Sequence, residues 1–217
     1  MNKIKLNLGS GPGKIIDPTW QYFDASKRLL LLKSIPFIGF MKIKESKINE
    51  QKWDLNTKYK NINKMSFTPE TVDYIYSSHA LEHIHLDDAK ALLKKTYEWL
   101  KPGGIIRLAL PDYDGIYQEF SHSRKSDPLT AYEKYSERLG SHPCSNPGCT
   151  LKVFFDGLVG KSLHTHKWHP HSDYIIALMK KLGFSIVQLQ EHKVSLIPHI
   201  EVIETRIKDT FFVDAVK

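Results

Sequence analysis

The feature that most constrains this chain lies at its start. Ile4 to Leu8 alternates apolar and polar residues and runs straight into Gly9-Ser10-Gly11-Pro12-Gly13. A period-two run predicts a strand, and three glycines in the next five residues predict a tight turn. Such a turn lets backbone approach a ligand with no Cβ in the way. The spacing is G-x-G-x-G rather than G-x-G-x-x-G, and Lys14 to Pro18 makes a poor helix. The strand, turn and helix N-terminus that hold a pyrophosphate are therefore not reproduced, and a ligand lacking that group is easier to accommodate.

The rest of the chain continues the α/β theme. Trp20 to Phe23 reads as a second strand ending at Asp24, and Val72 to Tyr76 as a third. Between Asp87 and Leu100, Ala89, Leu92, Leu93, Tyr97 and Leu100 recur at helical spacing. Lys101-Pro102-Gly103-Gly104 is expected to stop that helix before a buried strand, Ile105 to Leu110. Ser172 to Leu182 reads as a helix closed by Gly183, followed by strands at Phe184 to Leu189 and Thr210 to Val216. Alternating strands and helices predict a mostly parallel sheet with helices on both faces. The final two strands have no helical pattern between them and predict an antiparallel edge. The expected organisation is one domain over 1–217, with insertions at 25–51 and at the turn-rich 111–170.

Composition sets the class. Hydrophobic residues at 41% and charged residues at 25% suit a globular domain. The net charge of +7 favours anionic partners, but it comes mainly from lysines spread along the chain and reads as a solvated surface; with no separate nucleic-acid module in the sequence, nucleic acid is not the expected partner. The most apolar run, Leu29 to Met41, is broken by Lys33, Pro36 and Gly39, so no transmembrane segment is expected. The N-terminus lacks a signal-peptide pattern, and Cys144 and Cys149 make no disulfide framework. A cytoplasmic location is the expectation.

Several residues carry candidate chemistry. Asp24, at a strand end beside the glycine turn, suits a carboxylate that accepts from both hydroxyls of a ribose, or one that caps a turn. His79-Ala80-Leu81-Glu82-His83 spells H-x-x-E-H, an inverted zinc-peptidase signature, but it starts at a strand end rather than in mid-helix. Glu82 and His83 are read as structural, with metal ligation by His79, Glu82 and His83 kept as the alternative. His142, Cys144, Cys149, His164, His166, His169 and His171 hold zinc-type ligands at spacings that match no standard module. No tightly bound metal is expected, and this region reads as a lid in which one histidine acts chemically.

Taken in order, LNLGSGPGK, YFDAS, WDL, VDYIYSSHALEHI, WLKPGGIIRLALPD and the terminal FFVDAVK resemble class I S-adenosylmethionine-dependent methyltransferases. The resemblance is strongest to a small bacterial branch associated with polysaccharide and lipopolysaccharide gene clusters. It implies a Rossmann-like domain and S-adenosylmethionine as cofactor. It further implies that Gly9, Ser10, Gly11 and Gly13 line the methionine and ribose of the cofactor and that Asp24 binds the ribose. Asp54 and Leu55 would sit at the adenine, and Ser77 and His79 beneath the sulfonium, facing the acceptor. His166-Lys167-Trp168 resembles a histidine–aromatic element of the same branch. His79 and His166 are therefore the two candidate general bases, with His166 preferred, and the implied acceptor is a small molecule, glycan or glycolipid, methylated at oxygen. An RNA or protein methyltransferase, or a non-catalytic cofactor-binding protein, are the alternatives.

Overall fold

The computed structural model describes residues 3–12, 15–34, 54, 56–139 and 166–217. Its strands are β1 (Lys5–Leu8), β2 (Trp20–Asp24), β3 (Lys58–Tyr59), β4 (Val72–Ser78), β5 (Leu100–Pro111), β6 (Ile186–Gln190) and β7 (Thr210–Val216). The helices are α1 (Lys27–Ser34), α2 (Leu86–Trp99), α3 (Tyr113–Ser123), α4 (Pro128–Arg138) and α5 (Ser172–Lys181). The sheet order is β3-β2-β1-β4-β5-β7-β6. Pairings from β3 through β5 are parallel, whereas β7 runs antiparallel to both β5 and β6. This is the expected mostly parallel sheet with an antiparallel C-terminal edge, flanked by helices.

The strand order reverses direction between β1 and β4. In open α/β sheets the crevice beyond the carboxyl ends of such a strand pair is where ligands settle. The glycine turn leaves β1 at that point, and His79 leaves β4 beside it.

Alternation along the strands builds two cores. Leu6, Leu8, Phe23, Ile75, Ile106, Leu108, Leu110, Val213 and Ala215 share one cluster with Ala89, Leu92, Leu93 and Trp99 of α2 and Ile175 and Met179 of α5. Burying each large aliphatic side chain stabilises the fold by about 1.5–3 kcal/mol relative to exposure. Residues of the opposite parity, Tyr22, Tyr74, Tyr76, Ala109 and Phe212, form a more aromatic cluster with Ile197, Ile200 and Ile203. That second face also carries a buried ionic knot. Arg107 spends its five N–H groups on Glu204 (2.6 and 2.8 Å), Asp214 (3.0 Å) and the carbonyls of Val194 and Glu191 (2.8 Å each). The 191–204 segment is thereby tied down over the sheet.

Two local expectations need correction, and one strand went unread. Lys101 to Gly104 does not separate helix from strand: α2 stops at Trp99 and β5 begins at Leu100. Leu100 pairs with Val72 and Ile105 with Tyr74, so the Pro-Gly-Gly residues bulge out of a continuous strand. Gly103 and Gly104 then exchange backbone hydrogen bonds with Lys217, at 3.0 Å each. Residues 113–138, which read as turn-rich, form two helices. Asp112 accepts from the Gly115 N–H and Asp127 from the Thr130 N–H, and Pro128 occupies the first turn of α4. Caps at the ends outweigh polar composition within. Finally, β3 is only two residues long and leaves no periodic signal.

Asp73 secures the first edge of β4. Its carboxylate accepts from the Ile4 N–H at 2.8 Å and from Lys101 Nζ at 2.9 Å to both oxygens. Burial pushes its pKa up, but the Lys101 and Ile4 hydrogen bonds and the charges of Lys101 and Lys3 outweigh it, so the net shift is downward. A depressed carboxylate contributes stability above its unfolded pKa of about 3.9, and that contribution is lost as pH falls through the folded value. Asp73→Asn should therefore cost about 1 kcal/mol at neutral pH, with the gap to wild type closing below about pH 4. Urea melts across that range measure it. A gap that persists at the acid end would contradict the assignment.

Candidate active site

The first group of candidate residues sits at the ends of β1 and β2. The Gly9 and Ser10 N–H groups both donate to the Phe23 carbonyl, at 2.9 and 3.1 Å, which folds the turn across the end of β2. Gly9 (φ 70°) and Gly11 (φ 64°) take the left-handed conformation. A Cβ on Gly9 would stand 2.4 Å from the Ala80 Cβ, so that position admits no side chain. Beside Gly11 there is open space within 4 Å. The Asp24 carboxylate accepts from the Gly11 N–H (2.9 Å) and the Ser26 N–H (2.7 Å). Asp24 thus holds the turn and the start of α1 at once, and each oxygen keeps a further lone pair for a ligand hydroxyl. The Ser10 hydroxyl is buried with no hydrogen-bond partner among the described residues. Asp54 is brought to the same end by its bonds from the Ile15 N–H (3.1 Å) and the Asn56 N–H (2.9 Å). Gly13 and Leu55 lie outside the described residues.

The second group of candidate residues begins where β4 ends. Ser77 is buried within the strand, and its hydroxyl donates to the Leu8 carbonyl at 2.9 Å, tying β4 to β1. His79 follows in the left-handed conformation, φ 47°, with its N–H on the Ala109 carbonyl at 2.9 Å. A non-glycine residue held there is strained, and such strain concentrates at functional positions. His79 Nε2 lies 2.9 Å from Thr210 Oγ1, whose own proton goes to the Lys208 carbonyl. The imidazole is therefore the donor at Nε2, which leaves Nδ1 with a lone pair. Nδ1 stands 3.5 Å from Glu82 Oε1.

Glu82 lies in a 3-10 turn, Leu81–His83, and is fully buried. The distal segment is clamped onto this turn: the Lys167 N–H donates to the Glu82 carbonyl (2.7 Å) and Trp168 Nε1 to the Leu81 carbonyl (3.0 Å). That clamp brings His166 to His83, with ring centroids 4.9 Å apart. His166 Nδ1 lies 2.6 Å from the Tyr113 hydroxyl and 3.1 Å from the Leu139 carbonyl. The carbonyl only accepts, whereas the hydroxyl can donate or accept, so Nδ1 is engaged in either tautomer. Burial pushes the His166 pKa down against the opposing charge of Glu82, favouring the neutral ring. Burial also drives the Tyr113 hydroxyl well above its ordinary value, with the Glu82 charge acting in the same direction.

The sequence candidates thus gather in two groups on either side of the β1–β4 crevice. Of the histidine- and cysteine-rich stretch, His142, Cys144, Cys149 and His164 lie outside the described residues. His169 packs on Tyr113 at 4.4 Å between ring centroids, and His171 sits 3.1 Å from Asp114. Tyr113 was not singled out in the sequence. The only hint was its place directly after the buried strand and Pro111-Asp112.

Residues 6–108 match the family model described as a methyltransferase domain. A phosphoethanolamine N-methyltransferase of Plasmodium falciparum is 33% identical over 81 residues, which cover 34% of this chain and 29% of that protein. The match therefore spans less than a third of that relative. A structure from Listeria monocytogenes assigned as an S-adenosylmethionine-dependent methyltransferase superposes with a TM-score of 0.53 at 16% identity, covering 100% of this chain and 90% of that one. A SAM-dependent methyltransferase from Thermotoga maritima gives 0.50 at 16% identity, covering 99% and 82%. The fold is that of Rossmann-like S-adenosylmethionine-dependent methyltransferases, and residues 6–108, just under half of the chain, resemble a methyltransferase domain. The residues present fit that cofactor: an orphaned Ser10 hydroxyl, open space at Gly11 and spare acceptor capacity on Asp24 converge at one turn.

Because Asp24 has both a structural and a ligand-facing capacity, its removal should show twice. Asp24→Ala should weaken S-adenosylmethionine binding by about 1.5–3 kcal/mol, the range for hydrogen bonds to a charged group. A smaller fall in cofactor-free melting temperature should accompany it, from the loss of the Gly11 and Ser26 bonds. Calorimetry and thermal melts of the same sample report both. Wild-type affinity in a destabilised protein would leave Asp24 as a turn cap alone.

Proposed function

We propose that the chain transfers the methyl group of S-adenosylmethionine to a hydroxyl of a small glycan or glycolipid acceptor, with His79 as general base. The observation that carries this reading is the placement and tautomer of His79. It stands at the carboxyl end of β4, beside the glycine turn, with Nε2 2.9 Å from Thr210 Oγ1, whose proton goes to the Lys208 carbonyl, and a lone pair on Nδ1. Glu82, 3.5 Å from Nδ1, is placed to stabilise the imidazolium that results.

Methyl transfer from a sulfonium is an in-line displacement. The acceptor oxygen forms its bond to the methyl carbon as the carbon–sulfur bond breaks, and S-adenosylhomocysteine leaves with the electron pair. The protein aligns the two reactants and removes the hydroxyl proton. Among the cofactor-binding candidates Gly9, Ser10, Gly11, Asp24 and Asp54 hold the donor. The choice of a glycan rests on the resemblance of the chain to the polysaccharide-associated branch. No helix among the described residues is long and apolar enough to cross a membrane.

The test is a screen of sugar, glycolipid and small-amine acceptors with methyl-labelled S-adenosylmethionine. Label on a sugar oxygen supports the reading, and label on nitrogen alone removes the need for the base. Salt-sensitive RNA binding with label in RNA would favour the nucleic-acid alternative. Cofactor binding without turnover on any acceptor would favour the non-catalytic one.

A further inference from the structure

Glu82 is a carboxylate withdrawn completely from solvent, and neither of its oxygens accepts a hydrogen bond from a described residue. His79 Nδ1 at 3.5 Å and His83 Nε2 at 3.8 Å face the same oxygen, Oε1, without reaching bonding distance. Burying a charge without hydrogen bonds is costly unless a cation compensates it. One ring nitrogen each of His83 and His166 and one oxygen of Glu82 lie within 4.8 Å of one another. We propose that these three residues form a binding site for one divalent transition-metal ion of the zinc type.

Two imidazoles and a carboxylate are the donor set of an open, three-ligand zinc site, in which bonds of about 2.0–2.2 Å leave a fourth position free. Bonds of that length put ligand atoms about 3.3–3.6 Å apart, so donors now within 4.8 Å of one another would draw closer on binding the ion. The outer partners are in place as well. The Leu139 carbonyl and Tyr113 hydroxyl occupy His166 Nδ1, fixing the ring with Nε2 available as a ligand, which is how metal-binding histidines are oriented. The Lys167 N–H holds the Glu82 main chain. The site is assembled from segments more than eighty residues apart in the chain, with His166 rather than His79 as the third donor beside Glu82 and His83. Binding of the ion does not depend on the reaction proposed above. Its use does rest on that reading: the open position would take the acceptor hydroxyl and make its proton easier for His79 to remove.

The experiment uses the full chain, stripped with EDTA and desalted, with neither S-adenosylmethionine nor acceptor present. Titration with Zn²⁺ alone should show one ion per chain. Glu82→Gln and His166→Ala should each weaken binding by about 100-fold or more, beyond the 10–100-fold that outer partners carry. S-adenosylmethionine titrations on the same variants establish that they fold. The wild-type protein loaded with Co²⁺ provides a readout free of any folding effect, and its spectrum should lack a thiolate charge-transfer band. No stoichiometric binding by wild type, undiminished binding in both variants, or a thiolate band pointing to Cys144 and Cys149 would each overturn the proposal. Loss of S-adenosylmethionine binding with zinc binding intact would instead count against the proposed function.

Discussion

Arg107→Met should lower the stability of the fold by about 3–5 kcal/mol, the usual loss when one member of a buried ionic group is removed. Arg107, Glu204 and Asp214 are all inaccessible to solvent, so the two carboxylates left behind would have no cation and no water. Methionine keeps most of the volume and the contact with Phe212, over whose ring the guanidinium lies at 4.7 Å. The loss is therefore electrostatic rather than a cavity effect. Adding Glu204→Leu and Asp214→Val should restore only part of it. Glu204 also accepts from the Lys193 N–H at 2.6 Å, and Asp214 from the Leu196 N–H at 2.6 Å and the Ser195 hydroxyl at 2.8 Å. Those donors would be orphaned in turn. Urea unfolding measures both steps, and a single-variant loss under about 1 kcal/mol would show that the knot relaxes into water.

His79→Ala should slow turnover by about 10²–10⁴, the usual contribution of a general base, while S-adenosylmethionine affinity stays near that of wild type. His79→Gln separates chemistry from positioning. A glutamine amide can still donate to Thr210, yet it cannot accept the acceptor's proton. Equal losses in the two variants identify the base, whereas recovery in His79→Gln would identify a positioning residue. Full activity in His79→Ala would leave alignment of the reactants as the whole mechanism.

Most of the fold could be read from the sequence because its strands are bounded by strong punctuation. Gly9 after Leu8, Asp24 after Phe23 and Gly183 after α5 fall at element ends. The Pro-Gly-Gly bulge misleads because proline and glycine also occur where a strand is widened, and only the pairing partner distinguishes the cases. The buried ionic knot left a trace in Arg107 amid IIRLAL and Asp214 amid FVDAV, charges in otherwise apolar strands. The register that places them side by side, Arg107 opposite Asp214, is a tertiary fact. The cofactor turn is local, and its glycines and Asp24 stand 11–15 residues apart. The second group of candidate residues is not local. His166 reaches Glu82 through the clamp of Lys167 and Trp168 on the 3-10 turn, and no spacing rule encodes that return.

The close approach of Gly9 to Ala80 makes two distant positions a single steric unit. One belongs to the glycine turn, and the other directly follows the candidate base. A side chain at 9 would collide with the Ala80 Cβ, so the turn and the residue after His79 fit together only while position 9 stays bare, and a substitution there would be felt on both sides of the crevice.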